Sequence, residues 1–128
     1  MFIELLSNTE KETLIELVIV MAEIDGEISN EEMEILQKYS TTLDLTYKMK
    51  EKGNIEKSLK RLASFDEESQ KIIYAELCKL MMIDGIDKEE MVYLNEIKSA
   101  CGLSQEKHLK IIKTINKIMN LEKEFKAI

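Results

Sequence analysis

An all-α single domain of about seven helices, with an internal pseudo-two-fold repeat, is the fold that this 128-residue chain predicts. Three observations lead there. The sequence has no proline and only four glycines, so little interrupts a helix. Its apolar residues recur at helical spacing throughout. One helix-turn-helix stretch occurs twice. Leu17 to Leu36, LVIVMAEIDGEISNEEMEIL, is answered by Leu77 to Leu94, LCKLMMIDGIDKEEMVYL. Asp84-Gly85 repeats Asp25-Gly26, and Glu89-Glu90-Met91 repeats Glu31-Glu32-Met33, with a turn one residue shorter.

The elements follow in order. Met1 to Leu6 is a short apolar leader that packs on the domain or marks a dimer contact. Helix 1 starts after Asn8 or Thr9, where Thr9 and Glu12 have capping-box spacing, and runs to about Ile24. Its C-terminal half is apolar all round, which places it at the centre of a domain. Helix 2 opens at Ser29 with Glu32 as a second capping box and fades near Thr41-Thr42. A short helix 3 runs from Asp44 to about Lys52, and helix 4 from Ile55 to Ala63. Asp66 caps helix 5, about Glu67 to Ile83, the second all-apolar rod. Asp87 and Glu90 box helix 6, which reaches about Ala100. Ser104 caps helix 7, with a buried stripe of Leu109, Ile112, Ile115, Ile118, Met119 and Leu121, while Phe125 and Ile128 pack back. All four glycines, at 26, 53, 85 and 102, stand just past a predicted helix. No linker composition appears, so 1–128 reads as one domain with halves of about 9–63 and 66–121. Each half alone exposes an apolar helix, and pairing the halves buries both.

Charge narrows the function. The net charge is −7, spread as −9 over residues 1–47, −2 over 48–97 and +4 over 98–128. An acidic body argues against nucleic acid, which demands a basic footprint. The lysines of the last segment alternate with apolar residues and read as the solvated face of an amphipathic helix. Leu17 to Ala22, the longest apolar run, is too short to span a bilayer, and the N-terminus lacks the basic start of a signal peptide. Cys78 and Cys101 read as reduced, buried thiols of a cytoplasmic protein. His108, the single histidine, reads as a surface residue. No zinc set, Gly-rich phosphate loop or nucleophile elbow is present, and the chain reads as non-enzymatic. The eight methionines sit among leucines and isoleucines as core.

The acidic turns are the one constellation with chemistry. Asp25, Glu31 and Glu32 in the first copy, and Asp84, Glu89 and Glu90 in the second, are oxygen donors suited to calcium or magnesium. An EF-hand is excluded, because Met21 and Leu80 fall where the first ligand belongs. Capping alone also explains the carboxylates. Acidic residues at a helix N-terminus each contribute about 0.3–1 kcal/mol.

MAEIDGEISNEEMEIL and MMIDGIDKEEMVYL together resemble the TerB-like (tellurite-resistance TerB) helical domain, over about Thr9 to Leu121. The resemblance implies a bacterial, cytoplasmic domain tied to tellurite resistance and stress responses. It implies protein interaction, peripheral association with membrane complexes and divalent-metal binding. By position, Asp25 and Glu32 are the first-half ligands with Glu31 near, and Asp84 and Glu90 the second-half ligands with Glu89 near. The shortened second turn departs from this pattern, setting Asp84 and Glu90 six apart rather than seven. The alternative is a structural or adaptor domain, as a monomer or a homodimer, whose acidic turns are caps only. A hydrolase using the carboxylates ranks third, for want of a nucleophile.

Overall fold

Two helices of 18 residues, α1 (Asn8–Asp25) and α3 (Glu67–Asp84), form the centre of the molecule. The computed structural model describes residues 2–25, 30, 33, 34, 37, 55–84 and 88–128, with 23, 25 and 84 by backbone only. The remaining α-helices are α2 (Ile55–Ser64), α4 (Lys88–Ala100) and α5 (Gln105–Lys126). A 3-10 turn, Ile3–Leu5, precedes α1. Among the described residues there is no strand, so the all-α class stands. Five α-helices have their bounds among the described residues, against the seven expected. Of expected helix 2, Asn30, Met33, Glu34 and Gln37 are helical, and the rest lies outside the described residues, as does all of expected helix 3.

α1 is buried on almost every side. Leu14, Ile15 and the whole run Leu17 to Ala22 are in the core, as an all-apolar helix requires. It packs against α2, α3 and α4, and α3 in turn packs against α4 and α5. The two apolar rods therefore touch. Each fully buried Leu or Ile side chain stabilises the fold by roughly 1.5–3 kcal/mol. The leader joins this core through Ile3 and Leu6, while Phe2 and Leu5 stay exposed.

The start of α1 differs from expectation. Ser7 and Glu10, not Thr9 and Glu12, make the capping box. The Ser7 amide donates to Glu10 Oε1 at 2.8 Å, and the Glu10 amide donates to Ser7 Oγ at 3.2 Å. Two overlapping boxes have the same spacing. Burial of Leu6 next to Ser7 goes with the earlier one. The caps expected at Asp66 and Ser104 are present, while Ser29, Glu32 and Asp87 of the other two expected boxes lie outside the described residues. The Ser69 amide donates to Asp66 Oδ1 at 2.7 Å, and the Lys107 amide to Ser104 Oγ at 3.2 Å. Gly102 sits at φ +63° between α4 and α5, a left-handed turn that side chains disfavour.

Two polar ties hold the helices in register. Glu16, an acidic residue within the apolar part of α1, accepts from Ser58 Oγ at 2.7 Å and from Arg61 Nη1 at 3.0 Å, both on α2. Tyr93 of α4 donates its hydroxyl to the Leu17 carbonyl at 2.6 Å in the core. Burial pushes that phenol's pKa far up, so it remains a donor.

Candidate functional site

Three places combine polar chemistry with position. The first is the pair of acidic turns. Asp25 and Asp84 are the last residues of α1 and α3. Glu31 and Glu32 lie outside the described residues. Glu89 and Glu90 occupy the first turn of α4, where Glu89 is exposed and Glu90 is only 3% exposed. One helical step of about 100° turns the two carboxylates apart. Among the described residues, no group of three or more Asp, Glu, His or Cys is placed to hold a metal ion. Of the six carboxylates that the resemblance implies, only Glu89 and Glu90 have side chains among the described residues.

The second is a cluster that the sequence did not reveal. Tyr74 on α3 and His108 on α5 meet edge to face, with ring centroids 5.8 Å apart. The phenol oxygen lies 2.5 Å from His108 Nδ1. His108 is thus half-buried and bonded, not the plain surface residue expected. Burial drives the Tyr74 pKa far up, and the neighbouring Cys78 thiol adds to the rise. The phenol is then the donor, and the neutral ring carries its proton on Nε2. Burial and nearby Lys98 lower the His108 pKa. Cys78 is within hydrogen-bonding reach of the same phenol, and burial pushes its thiol up to about 12. Burial likewise lifts Cys101 to about 12. Both cysteines are free. At neutral pH they are protonated thiols, which are poor nucleophiles. The cluster is a neutral clamp between α3 and α5. Lys107 adds a second clasp, pairing with Glu67 at 2.5 Å and lowering that carboxyl's pKa.

The third place is a groove of about 320 Å³ between α3 and α5, closed on one side by Phe2. Ile72, Ala75, Ile111 and Ile118 make its lining largely apolar, and Lys71 and Lys110 edge it. Ile118 is the last α5 residue that lines it, and the end of α5 beyond is bare. Leu121 and Phe125 are 62% and 77% exposed, and Leu109 is 57% exposed. The expectation that Leu109 and Leu121 are buried, and that Phe125 and Ile128 pack back, is overturned. The apolar period is real, but past Met119 every side chain of α5 is exposed. Of these features, the tyrosine–histidine pair left no sequence signal, since 34 residues separate its members. The groove left one, the apolar stripe of α5. Among the described residues no helix is long and apolar enough to cross a membrane. The chain matches no protein-family model, no curated protein and no solved structure.

Proposed function

We propose that this chain is a non-enzymatic structural or adaptor module that works by docking a partner on the α3–α5 face. The observation that carries the reading is α5 itself. Of its 22 residues only Ile115 is fully buried, while large apolar side chains stand in water beside an apolar groove. Contiguous exposed apolar surface of this kind marks interaction sites. The protonated state of both thiols supports a role without covalent chemistry. The TerB-like resemblance supplies the setting, a bacterial cytoplasmic stress or tellurite-type response. The test is photo-crosslinking in cells from position 118 in the groove, with position 113 on the outer side of α5 as control. Adducts from 118 alone are expected. Their absence refutes docking on this face.

A second reading is divalent-cation binding at the first acidic turn. It is favoured by the equal length of α1 and α3, each closing on an aspartate as the resemblance requires. Calorimetric titration decides it, as argued in the Discussion.

A further inference from the structure

We draw no further inference here: the strongest candidate, the apolar groove between α3 and α5 edged by Lys71 and Lys110, belongs to the face already described, and Glu106, which pairs with Lys110 at 3.2 Å, and Glu76 in the lining offset its two lysines, so nothing in the structure shows what covers it.

Discussion

The hydroxyl of Tyr93 reaches the backbone carbonyl of Leu17 at 2.6 Å across 76 residues of sequence. It ties the helix after the second turn to the central helix of the first half. That carbonyl belongs to an α-helix, so the phenol is an added donor rather than the only one. Tyr93→Phe is expected to cost about 0.5–1.5 kcal/mol, the net worth of one hydrogen bond. Leu17→Ala is expected to cost about 2–5 kcal/mol, because it opens a cavity in the same place. Urea denaturation checks both, and a larger loss from Tyr93→Phe than from Leu17→Ala contradicts the ranking.

Glu16 makes a different kind of tie. Its carboxylate is about one-third exposed and bonds both Ser58 and Arg61. Ser58 itself is fully buried. Glu16→Ala is expected to destabilise by about 1–2 kcal/mol, chiefly by leaving a buried hydroxyl without its acceptor. The ion pair with Arg61 adds little at that exposure. A double change, Glu16→Leu with Ser58→Ala, is expected to recover most of the loss in a thermal melt.

Acid titrates the α3–α5 clamp. Burial and Lys98 hold His108 below its ordinary 6.5, so folding favours the neutral ring. A depressed pKa gives stability that is complete above about pH 6.5 and is lost as pH falls through the folded value. Protonation at Nδ1 also removes the acceptor that Tyr74 uses. The melting temperature is expected to fall between pH 7 and 5, and His108→Asn to flatten that limb. Asp66, held down by the Ser69 amide, and Glu67, held down by Lys107, lose their contributions only below their ordinary 3.8 and 4.5. A first limb unchanged in His108→Asn refutes the assignment.

Both thiols are expected to resist alkylation in the native state at pH 8. A group at about 12 is almost wholly protonated there, and only the thiolate attacks. Cys101, which is partly exposed, is expected to react before Cys78, which is fully buried. Mass spectrometry of iodoacetamide-treated protein follows the order, and modification of Cys78 first contradicts it.

For the acidic turns, chelator-stripped protein is titrated with calcium, magnesium, manganese and zinc. Cation binding is expected to give heat and a raised melting temperature, both reduced by Asp25→Asn and Glu32→Gln. Silence in both measurements assigns the carboxylates to capping alone.

The two rods were legible because α1 and α3 are apolar over most of their surface, a pattern that belongs to an interior helix. The caps at Asp66 and Ser104 were legible because a side-chain acceptor before an apolar run has one main use. The start of α1 was not, since Ser7/Glu10 and Thr9/Glu12 offer the same chemistry two residues apart. Nor was the fate of Leu121 and Phe125. Periodicity shows which face of a helix is apolar, but not whether anything covers it. The Tyr74–His108 clamp depends on tertiary approach alone.

The burial of α1 has a consequence for synthesis. This rod leaves the ribosome before part of its cover, α4, which is translated more than sixty residues later. Until then the nascent chain carries an uncovered, adhesive segment. Such segments are what chaperones hold and what aggregates nucleate on. Newly made chains stalled before Lys88 are therefore expected to be protease-sensitive and chaperone-bound, with protection arriving abruptly once α4 has emerged.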